Sequence, residues 1–268
     1  MEIDSSWLLL AIGAVACAAV MLVLWVLSIG DRNFSYVDVG WAGNFALLAL
    51  LYGFLAPGWV PRKILIAALF VVHGVRLATH LAKRIVGQPE EGRYVQLRKE
   101  WGARGNLNGK FLAFFQFQAL LNVFLSVPLL LACMNRYPHW QTLEWIGAAI
   151  CVTGLLGESV ADAQLAAFKR TPANRGAVCD VGLWRYSRHP NYFFEWLIWV
   201  GYAVIAGASQ FGWIAIGAPV LMLYFLVRVT GIPATEEQAL RSKGERYRDY
   251  QQRTSAFVPW FPRRPSHL

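Results

Sequence analysis

Seven stretches, at residues 7–29, 35–56, 63–80, 111–134, 143–161, 192–208 and 211–229, are apolar over 17 to 24 residues each. A helix needs about 20 such residues to cross roughly 30 Å of hydrocarbon. Backbone groups in lipid must be hydrogen-bonded within their own segment, so the runs are read as helices. No stretch alternates polar and apolar residues as a barrel strand does. The expected fold is an all-α integral membrane bundle of about seven transmembrane helices, of which the third and sixth are the shortest. Composition agrees: 56% of residues are hydrophobic, 15% are charged, and the mean hydropathy is +0.39, all of which suit the bilayer as solvent.

A formal net charge of +9 raises the question of nucleic acid, but the positions of the basic residues answer it. The loops after the first, third and fifth runs, together with the C-terminal tail, hold 20 of the 25 Lys and Arg. By the positive-inside rule the N-terminus is outside and the tail cytoplasmic, so charge reports topology and no nucleic-acid partner is expected. The first run lacks a basic segment before it and exceeds a signal-peptide core, so it is expected to stay as the first helix. Cys17, Cys133, Cys151 and Cys179 have neither pairing nor metal-ligand spacing and read as small core residues.

No repeat or long linker divides the chain, and residues 1–268 are read as a single transmembrane domain. Its polar parts are the cytoplasmic loops 81–110 and 162–191 and the tail 231–268. The first is too long for a simple connector. In the tail, Thr235 with Gln238 three residues on predicts a capping box, with a charged, solvated helix from Glu236 to Arg253 following it.

Ionisable groups within membrane segments are costly and generally face the bundle interior. His73, Arg76 and His80 are spaced i, i+3, i+7 on the third run, which places them on one stripe. Glu158, Asp162, Leu165 and Lys169 are spaced i, i+4, i+7, i+11 on the fifth, a stripe that leads out of the membrane. Asp38 lies early in the second run, Glu195 early in the sixth, and Gln116, Gln118 and Asn122 on the fourth. The plainer reading is that acids and bases pair between helices, with Arg76 answering Asp38 or Glu195. So many polar groups on shared faces point instead to a hydrophilic cavity. The histidines lack ligand spacing, so no metal is expected.

The densest cluster is Arg185-Tyr186-Ser187-Arg188-His189-Pro190-Asn191-Tyr192, followed by Glu195. Proline favours the first helical turn, so Pro190 is expected to open the sixth helix, whose free amides attract anions. Arg185 and Arg188 suit a phosphate, although the two arginines alone read better as ordinary positive-inside residues. Tyr186 suits stacking or a ribose hydroxyl, and His189, Asn191 and Glu195 together suggest ligand contact.

The run Gly182–Tyr192 with Glu195, Asp162-Ala163-Gln164 ahead of Phe168-Lys169, and Ser35–Trp41 resemble the steroid 5-alpha-reductase-like family of membrane reductases, above all its bacterial branch of unassigned function. The Arg-His-Pro-Asn-Tyr block is shared with isoprenylcysteine-type carboxyl methyltransferases and sterol double-bond reductases. The resemblance implies a seven-helix bundle, in a bacterial inner membrane, that holds NADPH toward the cytoplasm and takes a lipid substrate from the bilayer. The family's acid in the second helix matches Asp38 after a one-residue shift, and its tyrosine and arginine in the third match His73 and Arg76. Its later aspartate matches Asp162, and its asparagine and glutamate match Asn191 and Glu195. Four positions depart from the pattern: Val37-Asp38 stands for Gln-Glu, His73 for tyrosine, and Glu158 for asparagine.

On this resemblance the expected activity is NADPH-dependent reduction of a C=C bond conjugated to a carbonyl in a steroid-like or isoprenoid lipid. Asp38, if protonated, and His73 are the candidate donors to the carbonyl oxygen. Arg76, Lys169, Arg188 and His189 are the candidates for cofactor phosphates. Asp162, Asn191 and Glu195, with Tyr186, are the candidates for its ribose and amide. The rival is an S-adenosylmethionine-dependent methyltransferase of a lipid or prenylcysteine, since Glu236-Glu237, Leu240, Gly244 and Tyr247 resemble the segment after the shared block. A transporter or scaffold is the third class, but the inverted repeats common in transporters are not evident.

Overall fold

The computed structural model describes residues 2–103 and 105–263. Their regular structure is all helical, and among them no strand occurs beyond one isolated parallel bridge between Ser187 and Ser255. Six stretches are long and apolar enough to cross a membrane: Ser6–Gly30, Tyr36–Leu55, Val60–Ile85, Leu107–Met134, Thr142–Arg170 and Gly212–Lys243. The sixth predicted run is also a helix, Pro190–Ala206, but it has 17 residues. At about 1.5 Å per residue it covers roughly 25 Å, short of a full hydrocarbon core.

The chain divides into two compact units, Met1–Glu144 with Ile205–Ala215, and Trp145–Val204 with Ile216–Leu268. The first carries α1 (Ser6–Gly30), α2 (Tyr36–Leu55), α3 (Val60–Ile85), α4 (Gly92–Gly102), α5 (Leu107–Leu125) and α6 (Val127–Met134). Here α2 packs chiefly on α3, and α1 on α5 and α2. Gly74 makes the α2–α3 approach possible: a Cβ there would lie 2.9 Å from the Ala42 carbonyl oxygen and the Ala46 nitrogen. Small residues let membrane helices close in this way. Between α2 and α5, the buried Asn44 donates to Asn122 Oδ1 at 3.0 Å, and Asn122 donates to the Trp41 carbonyl at 2.9 Å. The predicted single run at 111–134 is two helices, because the chain breaks at Ser126 and Pro128 sits in the first turn of α6.

One end of this unit is tied by a fully buried ion pair that the sequence reading passed over. Arg62, in the first turn of α3, bonds Glu144 and also donates to the carbonyls of Asn135, Tyr137 and His139 at 2.9 Å each. Glu144 in turn accepts from the Gln141 amide at 2.7 Å, so it caps the start of the helix Thr142–Arg170 from its first turn. A buried charge is tolerable when its donors and acceptors are met this completely.

The second unit contains most of α7 (Thr142–Arg170), α8 (Pro190–Ala206), α9 (Gly217–Tyr224), α10 (Ile232–Lys243) and α11 (Glu245–Arg253). Gly154 lets α7 meet α8, since a Cβ there would be 2.9 Å from the Phe194 carbonyl oxygen. After α9 the backbone widens into a π turn, Phe225–Val229, and then passes Gly231 into α10. The predicted cap at Thr235 is displaced: α10 already starts at Ile232 with Pro233 in its first turn, and Thr235 Oγ1 donates back to the Gly231 carbonyl at 2.9 Å. The single helix predicted from Glu236 to Arg253 is two, because Gly244, at φ +56°, ends α10 before α11 begins.

Candidate functional site

The polar residues named from the sequence fall into clusters on both units. In the first, Asp38 stands in the opening turn of α2. Its Oδ1 accepts the Tyr94 hydroxyl at 2.7 Å and the Arg93 guanidinium at 3.3 Å, and Arg93 also touches the Tyr94 oxygen. Tyr94 is fully buried, and Arg93 lies over its ring at 4.7 Å. Burial first, and the neighbouring Asp38 charge second, push the Tyr94 phenol well above its usual range, so it stays a proton-bearing donor.

This cluster is held by a fixed arrangement of the segment before and within α4. Glu90 accepts the Phe34 amide at 2.8 Å and receives a two-pronged bond from Arg98 at 2.9 Å per arm. The Glu91 amide donates to Ser35 Oγ at 3.0 Å, and Asn33 donates to the Gln88 carbonyl at 3.1 Å. Phe34 stacks on Phe111 with centroids 3.7 Å apart. The segment 88–98 is thereby fastened across the turn between α1 and α2.

On α3, His73 is fully buried, Arg76 is half-buried and His80 is exposed, so the predicted stripe runs outward from the interior. The stripe on α7 grades in the same way, from buried Glu158 through half-buried Asp162 to exposed Lys169. Within the second unit the Glu158 and Glu195 carboxylates approach within 4.8 Å, and Glu195 also accepts from Trp199 Nε1 at 2.9 Å. Asn191 donates to Asp162 Oδ1 at 3.3 Å. Pro190 opens α8 as the sequence predicts.

Arg188 and His189, named above as candidates for cofactor phosphates, are both engaged by the tail. Arg188 Nε donates to Glu236 Oε1 at 2.7 Å, and its Nη1 donates to the carbonyls of Gln251 and Thr254 at 3.0 and 2.6 Å. His189 Nε2 lies 3.2 Å from the same Glu236 oxygen, its ring is parallel to that of Tyr192, and Gln251 donates to Glu236 Oε2 at 2.7 Å. These two side chains hold the tail. Arg185, Tyr186 and Lys169 remain exposed.

Two functional candidates escaped the sequence reading. Tyr94 lies in the polar loop 81–110, whose excess length is the one sequence signal that points to it. Glu236 was read as a solvated helix residue, and no local pattern marks its partners 47 and 48 residues away.

Fold and clusters together define a multi-pass helical membrane protein with polar groups gathered inside its helices. The model of DUF1295, a family described as proteins of unknown function and part of the steroid 5-alpha-reductase-like group, matches residues 24–254. The chain belongs to that family. No curated protein and no solved structure matches it.

Proposed function

We propose that the protein reduces a C=C bond conjugated to a carbonyl in a steroid-like or isoprenoid lipid, with NADPH as reductant. The observation that carries this reading is the buried Tyr94 hydroxyl, 2.7 Å from Asp38 and beside Arg93. As the β carbon of an enone gains hydride, negative charge grows on the carbonyl oxygen, and a preorganised hydroxyl donor stabilises it. In this reading the Tyr94 hydroxyl exchanges its bond to Asp38 for one to the carbonyl oxygen, Arg93 remains as the donor to Asp38, and His73 is the second candidate donor. Asp38, which accepts from both neighbours, acts through Tyr94.

The second unit offers a donor set that fits a phosphorylated dinucleotide. Exposed Lys169 and Arg185 suit its phosphates. The Asp162–Asn191 pair and Glu195 suit its ribose and amide, and exposed Tyr186 offers a stacking face. Bound there, NADPH would supply the hydride. Arg188 and His189 serve this site by fixing the tail through Glu236. We further read Pro190–Ala206 as a seventh span that tilts little, with the N-terminus outside and the tail cytoplasmic. Reporter fusions at residues 175 and 255 should then label the cytoplasmic side and one at residue 57 the opposite side, whereas labelling of 175 and 255 on opposite sides rejects the seventh span.

A thermal-shift titration of the detergent-purified protein with NADPH, NADH and S-adenosylmethionine tests the cofactor, because a ligand selective for the folded state raises its midpoint. Stabilisation by NADPH, followed by lipid-enone-dependent oxidation of NADPH, is the expected result. Stabilisation by S-adenosylmethionine alone would replace this reading with lipid methyl transfer.

A further inference from the structure

Residues 254–263 form a strap that the proposed reaction does not use. Its backbone is held at several points: the Arg188 amide donates to the Ser255 carbonyl at 2.8 Å, Ser187 Oγ to Phe257 at 2.8 Å, Trp260 to Tyr186 at 2.9 Å, and Arg263 to Arg253 at 2.8 Å. Yet Val258, Trp260 and Phe261 are 52%, 69% and 76% exposed. A fixed backbone that leaves three large apolar side chains uncovered marks a contact surface.

Beside them lies a cavity of about 380 Å³, lined among others by Arg188, Arg253, Thr254, Trp260, Phe261 and Arg263, and with no Asp or Glu in its lining. Arg253 is partly exposed and is steadied by Asp180 at 2.7 Å and by the Tyr250 ring. The site therefore joins guanidinium groups to an aromatic rim. Guanidinium forks bind phosphate oxygens, and tryptophan beside basic residues is the usual composition of a membrane interface.

We infer that this cavity seats the phosphate headgroup of an anionic phospholipid, with Trp260 and Phe261 inserted at the bilayer interface. A free phosphate compound would satisfy the arginines but leave the apolar rim uncovered, whereas a phospholipid satisfies both. The inference is independent of the proposed reaction.

The test is a thermal-shift titration of the full-length protein in detergent with phosphatidylglycerol, phosphatidylcholine or inorganic phosphate. The wild type should be stabilised by phosphatidylglycerol several degrees more than by phosphatidylcholine, and inorganic phosphate should not substitute. Arg253→Gln with Arg263→Gln should abolish that preference, and Trp260→Ala with Phe261→Ala should weaken the half-saturating concentration severalfold. Because Arg253 also bonds Asp180, Arg263→Gln alone is the control that leaves the ion pair in place, and it should lose part of the preference. Equal stabilisation by the two lipids, or a preference unchanged in the arginine variants, overturns the inference. Full substitution by inorganic phosphate overturns it too, in favour of a soluble phosphate ligand.

Discussion

Arg188 and Glu236, 48 residues apart in sequence, meet at 2.7 Å, and their side chains are only 10% and 15% exposed. That single bond organises the second unit's polar half. Through it the segment before α8 grips α10, while the other arm of the guanidinium holds the carbonyls at the end of α11. His189 and Gln251 complete the set around the same carboxylate.

Glu236→Gln should therefore loosen the tail more than a surface substitution would. It keeps the shape but leaves a half-buried guanidinium without its counter-charge, a loss of about 1–3 kcal/mol. A lowered midpoint and faster proteolytic cleavage within 241–253 are the expected readouts. Arg241→Gln, whose partner Glu237 is exposed, should change the midpoint little.

Arg62 and Glu144 give a sharper case, since both are wholly buried. Removing either partner strands the other, which typically costs about 3–5 kcal/mol. Replacing both with apolar residues should fail to restore stability, because the carbonyls of Asn135, Tyr137 and His139 would lose their donor as well. Midpoints for Arg62→Met, Glu144→Leu and the double variant check this. A double variant as stable as wild type would show that the carbonyl bonds contribute little.

How much of this was legible beforehand follows from what each residue needs. Apolar runs carry their own signal, so the helices were readable, and Pro190 marked the start of α8 by its fixed φ. Helix ends governed by a single backbone position were not. Ser126 breaks the fourth run, and Gly244 splits the tail helix with its positive φ. The stripes on α3 and α7 were legible because helical periodicity alone aligns them. The Tyr94–Asp38 and Arg188–Glu236 contacts were not, because each joins residues more than 40 positions apart through a tertiary approach that no spacing rule encodes.

The tail should also report its burial through pH. Tyr247 and Tyr250 are buried in α11, and burial pushes both phenols above their ordinary value, which is about 10. The unfolded chain then releases these protons at lower pH than the folded one, so the folded state binds more protons and loses stability as pH climbs past about 10. Below that pH the contribution is fully present. A midpoint-against-pH curve should fall there, and Tyr247→Phe should make the fall shallower.

Tyr94→Phe separates catalysis from architecture. The substitution removes one hydroxyl and keeps the ring that packs against Phe114 and beneath Arg93. Asp38 keeps Arg93 as a donor at 3.3 Å, so the loss of stability should stay near 1 kcal/mol. If the hydroxyl protonates or hydrogen-bonds the developing enolate, turnover should fall by about 10²–10³, the usual effect of removing one such donor, while NADPH still raises the thermal midpoint as in wild type. Asp38→Asn should fall less, because it disturbs the orientation of the hydroxyl and leaves the donor itself in place. Turnover unchanged in Tyr94→Phe but lost in His73→Phe would transfer the donor role to His73 and leave Tyr94 as a fastener of α4.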